Sequence, residues 1–266
     1  MRLACLLLCA AAVWAQAPGV SAAYRAYEKA NALFVARKFP DCQAALDEAL
    51  RHDPKLVPAL TLQAKLAMAV NRNDLARQSL NQALAADPSS AYARFLSGFL
   101  YHLENDLQLA LPELEKARRL NPRDPRAALY LGLTHESLGR TDAAIASYEE
   151  AIRLEAASGK VQADTLLTYG RLLLLLGRLE DCAKLIDRAL RLEPNSRDAH
   201  YERARLLLKQ GEPAAAAREG EQALRLGGVG ITEGQIRYLL VRAYQAIGEE
   251  KLASQHAAAL RAAEKP

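Results

Sequence analysis

The chain has 266 residues, of which 51% are hydrophobic, and its formal net charge is +4. This composition provides enough apolar surface for a large buried core. Lysine and arginine are spread along the whole chain, whereas a nucleic-acid binder needs a dense basic patch. We therefore expect a folded protein whose partners do not include nucleic acid.

The N-terminal segment 1–15 predicts a secretory signal peptide. Arg2 precedes an apolar run that ends with small residues, and cleavage after Ala15 would make Gln16 the new N-terminus. The run is too short for a membrane-spanning helix, which needs about 20 apolar residues. No other segment is as apolar, so we predict no transmembrane helix. The sequence thus indicates an exported protein, periplasmic or secreted, with a short leader over 16–22.

A lipid anchor at Cys9 is the alternative to signal cleavage. Lipoprotein signals have a small residue before the acylated cysteine, and here Leu8 precedes Cys9. We therefore favour a cleaved signal peptide over a lipoprotein.

From Ala23 onward the chain repeats with a period of 34 residues. Small residues recur at positions 8, 20 and 27 of each unit, and proline recurs at position 32 of several. Glycine stands at position 15 in the last four units, as Gly139, Gly177, Gly211 and Gly248. Allowing shifts of four and three residues, we assign seven repeats: 23–56, 57–90, 91–124, 125–158, 163–196, 197–230 and 234–266.

This pattern resembles the tetratricopeptide repeat family. The resemblance implies that residues 23–266 form an all-α fold, a right-handed α-solenoid (superhelix) of about seven helical hairpins. Three positions depart from the family pattern: His135 at position 11, Gly220 at position 24 and Val241 at position 8. A glycine inside a helix costs roughly 1 kcal/mol relative to alanine. We therefore expect the sixth repeat to be the least stable.

Two cysteines follow the signal segment, Cys42 and Cys182, and both occupy position 20 of their repeats. Equivalent positions four repeats apart should lie much farther apart than the ~7 Å between Cα atoms that a disulfide tolerates. We expect two buried thiols, because a free cysteine packs as a small apolar side chain.

We find no motif for chemistry. The five histidines include no i, i+4 pair, and no CxxC, HExxH, G-x-S-x-G or phosphate-binding P-loop motif occurs. We therefore predict no catalytic residues, no metal and no cofactor, and a protein that is not an enzyme. An unrecognised hydrolase or polysaccharide-modifying activity is the least favoured alternative.

The resemblance implies that the first helix of each repeat lines a concave face, into which positions 2, 5, 9 and 12 point. Repeats three and four place aromatic and apolar residues there, and repeats five to seven place an arginine at position 9 in succession. Aromatic residues and arginine are enriched at binding hot spots. The predicted groove residues are Tyr27, Asn31, Lys65, Tyr92, Phe95, Phe99, Leu129, Leu133, Arg171, Tyr201, Arg205, Tyr238 and Arg242.

A known ligand mode of the family, a lysine–asparagine clamp for acidic C-terminal peptides, is not supported. Asn31 matches one of its positions, but Tyr27 replaces the lysine and Leu62 replaces an asparagine. The sequence as a whole predicts a non-catalytic scaffold or adaptor that binds an extended peptide or a partner helix, with acidic groups as candidate ligands. The alternative is a structural subunit or lipoprotein of a cell-envelope assembly, of the outer-membrane or pilus biogenesis type.

Overall fold

The computed structural model describes residues 18–228 and 230–263, and all regular structure in these ranges is helical. The predicted all-α fold of stacked helices is confirmed. The chain divides into two compact units, Met1–Leu138 and Gly139–Pro266, which we call unit 1 and unit 2.

The predicted signal peptide over 1–15, its cleavage site and Cys9 lie outside the described residues. Helix α1 begins at Pro18, within the segment 16–22 that the sequence indicated as a leader. In the described part of the chain, no helix is long and apolar enough to cross a membrane.

The described part of unit 1, residues 18–138, contains seven helices. They are α1 Pro18–Val35, α2 Phe39–His52, α3 Val57–Ala69, α4 Asn73–Ala86, α5 Ala91–Leu103, α6 Leu107–Leu120 and α7 Pro125–Ser137. Each helix packs against the next one along the chain, and the alternate helices α1, α3, α5 and α7 also contact one another in succession. This pattern of contacts between near neighbours in sequence is that of a helical-repeat array.

Unit 2 has the same organisation. Its helices are α8 Thr141–Ala157, α9 Ala163–Leu175, α10 Leu179–Leu192, α11 Arg197–Gln210, α12 Pro213–Arg225, α13 Glu233–Ala246 and α14 Glu250–Ala263. Sequential helices pack against each other, and α11 contacts both α9 and α13. The first helices of successive repeats therefore lie side by side and present a shared surface.

The small residues of the repeat lie where the helices approach most closely. In each of the first six repeats the residues at positions 8, 20 and 27 are buried. In the first repeat they are Ala30, Cys42 and Ala49. A larger side chain at these points would push the helices apart. Cys42 and Cys182 are accordingly buried and free, in agreement with the prediction of two unpaired thiols.

The residue at position 15 follows the first helix of each repeat and has a left-handed backbone conformation, with positive φ. The four glycines there have φ between 71° and 80°, and the first three repeats reach the same conformation with Arg37, Asn71 and Asn105, at φ of 55° to 62°. The next residue then donates its N–H five residues back, as Lys38 does to the Leu33 carbonyl at 2.9 Å. This bond satisfies a carbonyl that the end of the helix leaves unpaired.

The four-residue shift after the fourth repeat comes from a longer helix. Helix α8 has 17 residues, and it ends beside Gly159 at φ 72°. Glu155 near its end is buried, and its two oxygens accept from the Gln162 backbone N–H at 2.9 Å and from the Thr165 hydroxyl at 2.7 Å. One carboxylate thus ties the extra residues of the loop to the start of α9.

Gly220 has a packing role that its helix propensity does not reveal. A Cβ at this position would lie 2.7 Å from Leu240 Cδ2 and 3.2 Å from Leu239 Cδ2. Leu240 is fully buried, so it has little room to move. Glycine therefore lets α13 approach α12 closely. Gly220→Ala would not gain the stability that helix propensity predicts, because the added methyl group would clash with Leu240.

Candidate functional site

In unit 1 three predicted groove residues on α5 form an aromatic cluster with two residues of α7, Tyr130 and Arg126, that the sequence analysis did not predict. The rings of Tyr92, Phe95 and Phe99 stack along α5, with centroids 6.3 and 6.2 Å apart. Tyr130 of α7 meets Phe95 and Phe99 edge-on, at 5.7 and 4.9 Å. The guanidinium of Arg126 lies over Tyr92 and Phe95, at 4.9 and 5.2 Å from the ring centroids.

This cluster is mostly a packed layer. Phe95 is only 6% exposed and belongs to the core of unit 1, with Tyr92, Phe99 and Tyr130 packed around it. Leu129 and Leu133 on α7 are half-buried. Because Tyr130 and Arg126 of the neighbouring helix cover Phe95, a partner would meet the edges of Tyr92 and Phe99 rather than Phe95.

The other predicted residues of unit 1 lie on α1 and α3. Tyr27 of α1 is half-buried beside Tyr24, and burial raises the pKa of its hydroxyl. Asn31 is exposed, and the Lys65 ammonium lies 4.7 Å from the centre of the Phe34 ring. Such a cation–aromatic contact holds the lysine side chain against the helix surface.

In unit 2 four of the predicted residues meet in one cleft between α9, α11 and α13. Tyr201 and Arg205 come from α11, and Tyr238 and Arg242 come from α13, with the same four-residue spacing on both helices. The cleft has a volume of about 260 Å³, and it is completed by Leu174, Leu208, Lys209 and Leu239. Tyr238 is 62% exposed, a large aromatic surface for a side chain that lines a cleft.

The three cations of the cleft differ in their partners. Arg205 donates to Glu202 at 2.7 Å, and its guanidinium lies 5.9 Å from the centre of the Tyr201 ring. No carboxylate in the described ranges pairs with Lys209 or Arg242. Two positive charges are therefore available beside apolar and aromatic side chains, and this is the chemistry that an acidic segment with apolar neighbours requires.

Arg171 stands apart from this cleft. It is exposed on α9, where it donates to the Thr168 hydroxyl at 3.1 Å, and it is not among the cleft-lining residues. The repeated arginine at position 9 thus yields two cleft residues, Arg205 and Arg242, and one arginine outside the cleft.

The structure adds residues that the sequence analysis missed. Lys209 lies one helical turn beyond Arg205, so the spacing Tyr201, Arg205, Lys209 already placed it on the same face of α11. Glu202 is 3% exposed beneath the cleft, and nothing in the repeat pattern distinguishes it from a solvated glutamate. Within the described residues, no group of three His, Cys, Asp or Glu side chains could hold a metal ion.

Comparison with known proteins agrees with this architecture. The sequence profile of the tetratricopeptide repeat matches residues 61–113, 104–160 and 167–230, which together cover more than half of the chain. The chain therefore belongs to the tetratricopeptide repeat family. No curated protein matches the sequence.

Several solved structures share the fold. A tetratricopeptide repeat protein from Parabacteroides merdae ATCC 43184 superposes with a TM-score of 0.67 and 15% identity, covering 92% of this chain and 94% of that one. The APC/C hetero-tetramer Cut9-Hcn1 gives 0.72 and 18% identity over 83% of this chain, but only 42% of that chain, so this chain spans less than half its length. PilW, a type IV pilus biogenesis factor, gives 0.51 and 20% identity, covering 90% and 92%. At these identities the likeness extends to the fold alone.

Proposed function

We propose that this protein is a non-catalytic interaction scaffold whose unit 2 holds an acidic, extended segment of a partner protein in the cleft between α9, α11 and α13. The observation that carries the proposal is the convergence of Arg205, Lys209 and Arg242 beside the exposed ring of Tyr238. Charge-assisted hydrogen bonds from the cations would bind carboxylates. The tyrosines and leucines would pack against the partner's apolar side chains.

The family and the fold neighbours support the coarser part of this proposal. The structures that share the fold include a subunit assembly of the APC/C and the yeast Tom70. Helical-repeat arrays of this kind form extended surfaces that bind partner proteins.

The test is a pair of double charge reversals in unit 2. Lys209→Glu with Arg242→Glu removes the unpaired cations of the cleft, and Arg191→Glu with Arg218→Glu makes the same change in net charge at exposed positions on α10 and α12. Partners are captured from the native cell envelope with both variants and the unchanged protein.

We expect the cleft variant to lose a partner that the control variant keeps, because reversing both cations places like charges opposite the partner's carboxylates. Helical circular dichroism should be the same for all three proteins, since these side chains are outside the core. Retention of every partner by the cleft variant would contradict a binding site in this cleft.

We also propose that the protein is exported, from the signal pattern of segment 1–15. The alternative role, as a lipoprotein subunit of a cell-envelope assembly, draws on Cys9 and on the fold shared with PilW. Mass measurement of the mature N-terminus distinguishes the two. A chain that begins at Gln16 would exclude the anchor, and a diacylated Cys9 would favour the envelope subunit.

A further inference from the structure

Glu202 is a buried carboxylate with an incomplete set of hydrogen bonds. It lies on α11 next to Tyr201 and one helical turn before Arg205, and it is 3% exposed. Its Oε2 accepts from Arg205 Nη1 at 2.7 Å. Its Oε1 is buried and has no hydrogen-bond partner among the described residues. A buried carboxylate in this state is costly when it is ionised, because one oxygen has lost water without replacement.

The surroundings of Glu202 have opposing effects on the pKa of its carboxyl group. Burial raises the pKa of the Glu202 carboxyl, and the positive charges of Arg205 and Arg171 act against that rise. The titratable and charged groups on the helices packed against α11 include Arg171 on α9, Cys182 and Asp187 on α10, Glu219 on α12 and Arg242 on α13. Asp187 and Glu219 both pair with Arg203 of α11, and Glu219 also pairs with His200. On α11 itself, Asp198, Tyr201 and Arg205 lie near Glu202. The Cys182 thiol stays protonated at neutral pH, since burial and the Glu202 charge raise its pKa to about 11.

Arg205 is therefore shared between two sites. Its guanidinium lines the cleft with Lys209 and Arg242, and it is also the one hydrogen-bond donor to the Glu202 carboxylate within the described residues. While Glu202 is ionised, it neutralises Arg205 and holds the side chain toward the helix. A protonated Glu202 has no charge to hold it, and Arg205 can turn its donors to a ligand in the cleft.

We propose that Glu202 competes with the carboxylates of the bound partner for Arg205, so that binding of an acidic segment is coupled to uptake of a proton by Glu202. This inference rests on the proposed function of the cleft. It predicts that affinity rises as the pH falls, because protonation removes the competitor. The partner's own carboxylates stay ionised above a pH of about 5.

The experiment measures the affinity of a blocked peptide that contains alternating glutamate and leucine, using the full chain and a fluorescent label on the peptide. The same peptide with glutamine in place of glutamate is the control ligand. The proteins are the unchanged chain, Glu202→Gln, and Glu193→Gln, which changes an exposed glutamate of the same unit outside the cleft. Measurements run from about pH 5.5 to about pH 8, where free glutamate does not titrate.

We expect Glu202→Gln to bind the acidic peptide about tenfold more tightly than the unchanged chain at the upper pH, a difference that corresponds to freeing one charge-assisted partner. The variant should also lose most of the pH dependence, because glutamine cannot take up the proton. Glu193→Gln should behave like the unchanged chain, and the glutamine peptide should bind weakly to all three proteins.

The proposed binding site and the coupling of binding to Glu202 protonation can be refuted separately. If neither the unchanged chain nor Glu202→Gln distinguishes the acidic peptide from its glutamine counterpart, the cleft is not a site for acidic segments and both proposals fall. Equal affinity and equal pH dependence of the unchanged chain and Glu202→Gln for the acidic peptide would overturn the coupling alone and leave the site in place.

Discussion

Single residues at the ends of the first helices show how differently one backbone conformation can be reached. All seven residues at position 15 have a positive φ, but only four of them are glycine. A left-handed conformation costs an L-residue other than glycine roughly 1–2 kcal/mol, and asparagine tolerates it better than arginine. Arg37 therefore carries the largest backbone strain of the seven turns.

We expect Arg37→Gly to raise the free energy of unfolding by about 0.5–1 kcal/mol, since it removes the strain at the expense of some added freedom in the unfolded chain. Urea unfolding followed by circular dichroism measures the change. Gly177→Ala is the converse substitution. Its Cβ would meet no heavy atom within 4 Å, so a loss of about 1 kcal/mol would come from the backbone alone. A destabilised Arg37→Gly would refute this account of the turn.

At the scale of helices, equivalent positions in the repeat differ in how closely their neighbours approach. Gly98 and Gly170 both occupy position 8. A Cβ at Gly98 would lie 2.6 Å from Leu114 Cγ and 3.0 Å from the Leu114 backbone nitrogen, whereas at Gly170 the nearest atom is 3.8 Å away. Helices α5 and α6 are therefore in direct backbone contact, and α9 and α10 leave room for a methyl group.

These distances predict opposite effects of the same substitution. Gly98→Ala should destabilise the protein by about 1–3 kcal/mol, because the helix backbone has to shift. Gly170→Ala should stabilise it by up to about 1 kcal/mol, because alanine is the better helix former and fits without a clash. Thermal unfolding of the two variants side by side gives the comparison. A similar change in stability for both variants would mean that the distance between the helices does not determine the effect of a substitution at position 8.

Packing between neighbouring helices also explains why some predicted groove residues are buried and others are exposed. Burial at positions 5 and 9 depends on the side chains that the next first helix supplies, and no first helix follows α13 among the described residues. Tyr130 and Arg126 cover Phe95 in unit 1, while Tyr238 on α13 stays exposed. Repeat position alone cannot separate these two cases.

For the whole molecule, a net charge of +4 offers a simpler account of acidic binding than the cleft does. The two accounts differ in their response to a charge reversal outside the cleft, because charges farther than about 10 Å from the peptide are screened at ~0.1 M ionic strength. We expect affinity for the glutamate–leucine peptide to fall as salt rises. The control Arg191→Glu with Arg218→Glu should keep both the affinity and its salt dependence to within about twofold, since the peptide contacts the cleft.

A control variant that binds as weakly as Lys209→Glu with Arg242→Glu would show that net charge, rather than the cleft, attracts the peptide. Titrations of both variants at several salt concentrations make this comparison.

The helical repeats, their small buried positions and the glycine turns could be predicted from the residues alone, because these features depend on a few residues at fixed spacing within one hairpin. The sequence also indicated Tyr201, Arg205, Tyr238 and Arg242, which the tertiary structure brings together in one cleft. Only the structure showed that Arg171 lies outside the cleft, that Phe95 is covered, and that Glu202 is buried against Arg205. Repeat spacing fixes the face of a helix on which a residue lies. Burial, pairing and clefts depend instead on the separation of neighbouring helices and on the side chains that meet between them.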